Sequence, residues 1–190
     1  MSKTRQNLEN AIEGESQAHV RYLAFSEKAD EEGYPGVARL FRATARAEWV
    51  HATSHQRAMK SESDIIENLK LSEKLAEAVR ALRSEGKIGE TVENLESAVE
   101  GETYEFKKMY PPMIGDAVAE EELEARHSLE YAMSIEMIHA KLLKKALQDP
   151  AAVDASAYYV CPVCGHTVAD KAPKKCPYCG VDASKFIEVV

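Results

Sequence analysis

Glutamates stand at core positions in four amphipathic segments of this chain. In one segment Leu129, Glu136 and Leu143 are seven residues apart, so they share the helix face that the two leucines mark as buried. Glu15 is flanked by an apolar and an aromatic residue at the same spacing. An ionised carboxylate buried without a partner is very costly. Several such glutamates in one core therefore require cations, and none of these stripes contains Lys or Arg.

A Glu-x-x-His motif occurs in the second and fourth segments and places both side chains on one helix face, at positions i and i+3. The first and third segments each add a single glutamate. Together the six residues are Glu15, Glu48, His51, Glu102, Glu136 and His139. Two single glutamates with two Glu-x-x-His pairs form the ligand set of di-iron and di-manganese carboxylate bundles. Mixed oxygen and imidazole ligands suit iron or manganese better than softer, thiolate-favouring ions.

An internal repeat relates the two halves of this region. Three pairs share an offset of 88 positions (136 − 48, 139 − 51 and 110 − 22), namely Glu48 and Glu136, His51 and His139, and Tyr22 and Tyr110. Glu102 follows Glu15 by only 87 positions (102 − 15), so one residue is inserted between Glu102 and Tyr110. A single insertion in an unbroken helix is typical of a π-bulge. The extra carboxylate Glu105 lies beside this insertion.

A simpler interpretation exists for each of these residues taken alone. One Glu-x-x-His motif is usually solvent-exposed, but two matched motifs with two further glutamates favour a metal site. His19 and His55 have no counterpart in the repeat, and we interpret them as core histidines or as neighbours of metal ligands. Tyr22 and Tyr110 match each other, and a packing role and a role beside the metal ligands both stay open.

Helical periodicity predicts a four-helix bundle of the ferritin-like class with one long crossover. The helical segments are expected over 7–30, 35–59, 91–113 and 121–148. The connection at 61–89 contains Ile65, Leu69 and Val79, which suggest a short helix closed by Gly86. The double proline at 111–112 must kink or reset the third helix.

The C-terminal region has a different composition. Residues 151–157 are small, and we expect a flexible linker that joins two domains with separate cores, 1–150 and 157–190. Four cysteines form two Cys-x-x-Cys pairs, Cys161 with Cys164 and Cys176 with Cys179. Four thiolates make one tetrahedral site, and the glycine after each pair fits a positive-φ turn. Zinc and iron both fit these cysteines, but a redox-inert zinc would leave the adjoining di-iron site without an obvious electron source.

The formal net charge of −8 argues against nucleic acid, which needs a basic surface. The N-terminal residues lack the apolar core of a signal peptide, and no stretch of eighteen apolar residues predicts a membrane span. Clustered Cys-x-x-Cys pairs indicate metal binding in a reducing compartment. We therefore expect a cytoplasmic protein that acts on a small molecule.

The motifs resemble the rubrerythrin family over nearly the whole chain. The resemblance rests on GESQA at 14–18 with Tyr22, GE at 101–102 followed by Glu105 and MYP at 109–111, and the rubredoxin-like cysteines. It implies a non-haem peroxidase that reduces hydrogen peroxide to water in defence against oxidative stress. Electrons would come from a pyridine nucleotide through a reductase or rubredoxin and the tetrathiolate iron. It also implies head-to-tail homodimers, with the cysteine domain of one subunit near the di-iron centre of the other.

Carried over by motif, the ligands are Glu15, Glu48, His51, Glu102, Glu105, Glu136 and His139 for two irons, and Cys161, Cys164, Cys176 and Cys179 for a third. The catalytic residues implied are Glu105, His51, Tyr22 and Tyr110. The departures from the family are the helical insert within 61–89 and the double proline, which put the crossover packing and dimer geometry in doubt.

Glu105 gives one iron more ligands than it needs. Oxidation raises the charge of the iron pair and favours the anionic Glu105, whereas reduction makes the neutral His51 competitive. We therefore expect this iron to move between the two side chains. The alternatives are a ferroxidase or iron-handling bundle with a structural zinc ribbon, and a regulatory scaffold. The physiological electron donor and the metal at each position, iron, manganese or zinc, stay open.

Overall fold

A computed structural model of the chain describes residues 2–59 and 72–190. Its helices are α1 (Lys3–Glu31), α2 (Pro35–Ala58), α3 (Ser72–Ser84), α4 (Thr91–Tyr104), α5 (Tyr110–Ala119) and α6 (Leu123–Gln148). A π-helical turn, Glu105–Met109, joins α4 to α5. The helices α1, α2, α4–α5 and α6 form the predicted four-helix bundle, and a small β module follows it.

The π-helical turn confirms the inserted residue that the repeat predicts. The backbone N–H of Tyr110 bonds to the carbonyl of Glu105, the i to i+5 pattern of a π-helix. Pro111 and Pro112 follow in the first turn of α5, where a helix leaves N–H groups without an intrahelical partner. The prolines therefore reset the helix directly after the π-turn.

Two exchanged caps show that the repeat is a structural one. The carboxylate of Glu32, after α1, accepts the backbone N–H of Thr91 at 2.8 Å. Its repeat counterpart Glu120, after α5, accepts the N–H groups of Lys3 and Thr4 at 3.0 and 2.9 Å. Each half of the bundle thus caps the first helix of the other half, because free N–H groups at a helix start attract a carboxylate.

Two apolar clusters lie at opposite ends of the bundle interior. One contains Tyr22, Phe25 and Phe41 in mutual ring contact, with centroid separations between 5.4 and 6.0 Å. The other contains Tyr110 and Leu129. The two repeat-related tyrosines therefore belong to different clusters, with the glutamate-rich layer between them.

Helix α3 belongs to the crossover. Its Val79 packs on Val20 and Ala24 of α1, and Gly86 follows with a φ of +67°, which confirms the short helix closed by glycine. Ile65 and Leu69, part of the same prediction, lie outside the described residues. Among the helices of 2–59 and 72–190, none is both long and apolar enough to cross a membrane.

The β module is a three-stranded antiparallel sheet of β1 (Tyr158–Val160), β2 (Thr167–Ala169) and β3 (Ile187–Val189), with β1 in the centre. Short 3₁₀ turns lie at Pro150–Ala152 and Ala183–Lys185. Both predicted positive-φ glycines are confirmed, with φ of +76° at Gly165 and +77° at Gly180.

The expected flexible linker and separate cores are wrong. The Val153 carbonyl packs so closely on Gly36 of α2 that a Cβ at this glycine would overlap it, and Arg39 donates to the Ala155 carbonyl at 3.0 Å. Tyr158 and Val160 belong to the same apolar cluster as the bundle aromatics. Small residues in this segment suggested flexibility, but here they allow the backbone to approach the helix closely.

Candidate metal centre

The six residues predicted from the repeat converge in the middle of the bundle. Glu15 lies on α1, Glu48 and His51 on α2, Glu102 on α4, and Glu136 and His139 on α6. All six are buried, with exposed fractions of 0 to 1 %. Their donor atoms form two overlapping groups, in each of which four atoms lie within 4.8 Å of one another: Glu15, Glu48, His51 and Glu136, and Glu48, Glu102, Glu136 and His139.

Glu48 and Glu136 belong to both groups and span them. The two oxygens of Glu136 lie 2.8 Å from Nδ1 of His51 and 2.9 Å from Nδ1 of His139. The two oxygens of Glu48 lie 3.4 and 3.3 Å from the same nitrogens. Glu48 and Glu136 would therefore contribute to both cation positions, and Glu15 and Glu102 would each contribute to one.

Unsatisfied polar atoms show that this layer fits a pair of metal ions. The buried atoms without a hydrogen-bond partner include Glu15 Oε2, both carboxylate oxygens of Glu48 and Glu136, Glu102 Oε2, His51 Nδ1 and His139 Nδ1. Within 2–59 and 72–190 no Lys or Arg forms an ion pair with these carboxylates. Four carboxylates with two neutral imidazoles match two divalent cations in charge, and this donor set is consistent with iron.

The raised pKa values of two glutamates in this layer also indicate a site for cations. Burial, reinforced by the charge of Glu48, raises the pKa of Glu15 to about 7. Burial and the same neighbour raise the pKa of Glu102 well above its ordinary value. Without cations these two carboxyls keep a proton to higher pH than an ordinary glutamate, so metal ions compete with protons for them.

Both predicted tyrosines donate hydrogen bonds to glutamates of the layer. Tyr22 donates to Glu102 at 2.6 Å, and Tyr110 donates to Glu15. Each tyrosine thus bonds the single glutamate of the opposite half of the repeat. The structure shows both of the roles left open, because each ring packs in an apolar cluster and each hydroxyl contacts a candidate ligand.

Glu105 stands apart from the six. It lies in the π-turn, is half-buried, and belongs to neither four-atom group. Burial and the charges of Glu15 and Glu102 nevertheless raise its pKa well above the ordinary range, which places it within electrostatic reach of the layer. His51, its expected competitor for one iron, is inside the layer.

The four cysteines form one compact site. Cys161 and Cys179 have sulfurs 3.4 Å apart, Cys164 and Cys176 have sulfurs 3.5 Å apart, and all four lie within 4.8 Å of one another as free thiols. Hydrogen bonding from Cys164 lowers the pKa of Cys161 to about 5. Four thiolates in this arrangement fit a tetrahedral metal such as iron.

The cysteine module packs directly on the carboxylate layer. Nε2 of His51 lies 3.2 Å from the carbonyl oxygen of Cys164, and Nε2 of His139 lies 3.2 Å from Oγ1 of Thr167. Thr167 in turn donates to the Gly165 carbonyl at 2.9 Å. Each imidazole therefore presents Nδ1 to the carboxylates and Nε2 to the module, which fixes its orientation.

The sequence interpretation missed Thr167 as a partner of His139, because nothing local marks it. It also missed His166, whose Nδ1 lies 3.8 Å from the sulfur of Cys176. Its position two residues after Cys164 was the available signal.

His19 is not part of the layer, since its Nδ1 lies 2.6 Å from the Ala45 carbonyl on the α2 backbone.

Comparison with known proteins agrees with this architecture. The family model described as Rubrerythrin matches residues 6–147, and the model described as Rubrerythrin, rubredoxin-like domain matches 159–187. The chain belongs to the rubrerythrin family. Rubrerythrin-2 of Clostridium acetobutylicum is 40% identical over 185 residues, covering 94% of this chain and 92% of the relative. Nigerythrin of Nitratidesulfovibrio vulgaris is 33% identical over 179 residues, covering 94% and 83%.

Solved structures of nigerythrin share this fold. A mixed-valence state of nigerythrin superposes with a TM-score of 0.83 at 31% identity, covering 99% of this chain and 87% of that one. An all-ferrous nigerythrin gives a TM-score of 0.81 with the same identity and coverage. The chain therefore has the ferritin-like bundle and rubredoxin-like module that its motifs predict.

Proposed function

We propose that this member of the rubrerythrin family is a peroxidase that reduces hydrogen peroxide to two water molecules, using two electrons and two protons. The observation that carries the proposal is the contact between the carbonyl of Cys164 and the imidazole of His51. A site that only stored or oxidised iron would not need a redox-active tetrathiolate centre against its ligand. When bound, two ferrous ions would supply one electron each and polarise the peroxide.

The residues of the chain prepare the site for this chemistry. Glu48 and Glu136 belong to both groups of donor atoms and would hold two metal ions side by side. Tyr22 and Tyr110 fix Glu102 and Glu15 through hydrogen bonds, so these carboxylates do not rotate freely. The apolar clusters on both sides exclude bulk water and strengthen every electrostatic interaction inside.

Electrons would return through the cysteine module one at a time. The backbone of Cys164 links one thiolate ligand to His51, and therefore to the carboxylate layer, within one chain. We propose a reductase or rubredoxin as donor, with a pyridine nucleotide as the ultimate source. The expected head-to-tail homodimer stays a proposal: exchange of the module between subunits would form the same contact. The four thiolate ligands also suit the reducing cytoplasm.

Iron content and turnover test this function together. We expect three irons per chain after anaerobic reconstitution, two in the bundle and one in the module, with the visible absorption of a ferric tetrathiolate. Cys161→Ser should keep the two bundle irons but lose most turnover with a nicotinamide-driven reductase. Only zinc at the cysteines, or unchanged turnover in the variant, would instead favour an iron-handling bundle with a structural zinc ribbon.

A further inference from the structure

A chain of hydrogen bonds runs from the surface to one glutamate of the metal layer. His55 is fully buried, and both ring nitrogens are engaged: Nδ1 lies 2.8 Å from Ser128 Oγ, and Nε2 lies 3.1 Å from the hydroxyl of Tyr110. Tyr110 donates to Glu15. At the outer end, Ser128 Oγ lies 2.9 Å from the hydroxyl of the partly exposed Ser54.

The bonding pattern fixes one direction through this chain. Because the proton of Tyr110 is directed to Glu15, its oxygen must accept from Nε2–H of His55. The hydroxyl of Ser128 donates to Ser54 at 2.9 Å. When that hydroxyl turns to donate to Nδ1 of His55, 2.8 Å away, Ser54 can donate to Ser128 in return. Burial lowers the pKa of His55 to about 4, so the ring is neutral near pH 7 and has one donor and one acceptor.

The repeat shows that the fold does not need these polar groups. At the offset of 88 residues that relates the two halves, the counterpart of His55 is Leu143, and both side chains are fully buried. The serines also have leucine counterparts (128 − 88 and 88 + 54), which are Leu40 and Leu142.

On that side of the bundle the hydroxyl of Tyr22 bonds Glu102, and the ring packs against Phe25 and Phe41. Behind Tyr22 there is therefore an apolar cluster in place of the hydrogen-bonded histidine and serines that lie behind Tyr110. Burying an imidazole and a hydroxyl costs more than burying leucine unless every polar atom is bonded, so packing alone does not explain the asymmetry.

We propose that Ser54, Ser128, His55 and Tyr110 conduct protons from solvent to Glu15, on the His51 side of the centre only. The proposal rests on the peroxidase function, because each peroxide takes up two electrons and two protons. In one passage Tyr110 gives its proton to a Glu15 oxygen, and Nε2–H of His55 replaces it. Ser128 protonates Nδ1, and Ser54 restores Ser128 from water. Glu15 then yields the proton to the departing oxygen. Before the next passage the imidazole and the hydroxyls reorient, so that a ring N–H again faces Tyr110.

The decisive variant is His55→Leu, which installs the residue that the other half of the repeat carries. We expect full iron content, an unchanged KM for peroxide, a kcat at least tenfold lower and a larger solvent deuterium isotope effect. Ser128→Ala should act in the same direction and guards against a folding defect in the first variant. His19→Leu is the matched control, since it removes a partly buried histidine outside the path and should leave all these values unchanged.

A second readout does not depend on turnover. In the zinc-loaded protein, nuclear magnetic resonance can follow exchange of the tyrosine hydroxyl protons with water. We expect the Tyr110 proton to exchange at least tenfold faster than the Tyr22 proton, and His55→Leu to abolish that difference. Equal exchange in the wild type, or unchanged kcat and isotope effect in a fully loaded His55→Leu, would overturn the path. A wild type without peroxide turnover would refute the proposed function, and the exchange rates would still decide the path.

Discussion

Gly165 lies against the imidazole of His51 so closely that a Cβ at this position would overlap Nε2. The residue also has a φ of +76°, which side chains other than glycine rarely adopt. Gly165 therefore serves the turn after the first cysteine pair and the approach of that turn to the metal layer. Gly180, after the second pair, has a φ of +77° but has nothing within 4 Å of a Cβ.

These two glycines provide a matched test of electron transfer. Gly165→Ala should push the cysteine turn away from His51, and we expect re-reduction of the bundle irons to slow at least tenfold. Gly180→Ala carries the same backbone strain, of about 1 kcal/mol, without the collision. Stopped-flow reduction at full iron content compares them. Equal rates in the two variants would mean that the His51 contact does not govern transfer.

Glu105→Ala tests the expected movement of one iron between His51 and Glu105. The variant should bind iron normally, because the six buried ligands are complete without Glu105. Peroxide reduction should slow at least tenfold, because the oxidised iron loses its anionic ligand. Crystal structures of both redox states give the direct measurement. Identical ligation by His51 and Glu105 in both states would exclude the movement but leave the di-iron site intact.

Glu32 should contribute stability that is lost in acid. Its hydrogen bonds with Lys28 and with Thr91 lower its pKa to about 2. A carboxyl whose pKa is lower in the folded than in the unfolded state stabilises the fold fully above about 4.5, and this contribution disappears as the pH falls towards 2.

Glu32→Gln should therefore lower stability near pH 7 by about 1 kcal/mol, the usual effect of losing a helix cap, or about 2–4 °C in Tm. The difference from wild type should shrink between pH 4.5 and 2. Thermal melts of the metal-free protein measure it. Glu9→Gln, which removes only an exposed ion pair with Arg5, should change little at any pH. If Glu32→Gln were less stable than wild type by the same amount at every pH, the lowered pKa of Glu32 would not be the source of the stability.

Glu121→Gly should stabilise the bundle. Glu121 has a φ of +58°, whereas its repeat counterpart Gly33 adopts +81° with the residue type suited to that conformation. Glycine also gives the unfolded chain more conformational entropy, which opposes folding. Relief of the backbone strain should exceed this cost, so the free energy of unfolding should rise by about 0.5–1 kcal/mol.

The reciprocal change, Gly33→Ala, should destabilise by a similar amount, since a Cβ meets no atom there and only the backbone is strained. Asp170 also has a positive φ, but its carboxylate accepts the Ser156 N–H at 3.0 Å. Asp170→Gly should therefore not increase the free energy of unfolding. Chemical denaturation checks all three variants, and a loss of stability in Glu121→Gly would contradict the strain argument.

Much of the metal layer could be predicted from the chain alone. The spacing of Glu48 and His51 determines that they share a face, because helix geometry is local and repeats every 3.6 residues. The one-residue difference between the halves predicted the π-turn for the same reason. The Cys-x-x-Cys pairs, with a glycine after each, predicted the knuckle turns and their positive φ.

Only the tertiary structure decided how these local pieces meet. His51 and Cys164 are 113 positions apart, and His55 and Ser128 are 73 apart, so no periodic pattern connects them. The small residues of 151–157 carry no local sign of the helix they pack against. Helix and turn geometry depend on neighbours along the chain, whereas the contact of Gly165 with His51 arises when separate surfaces pack with little space between them.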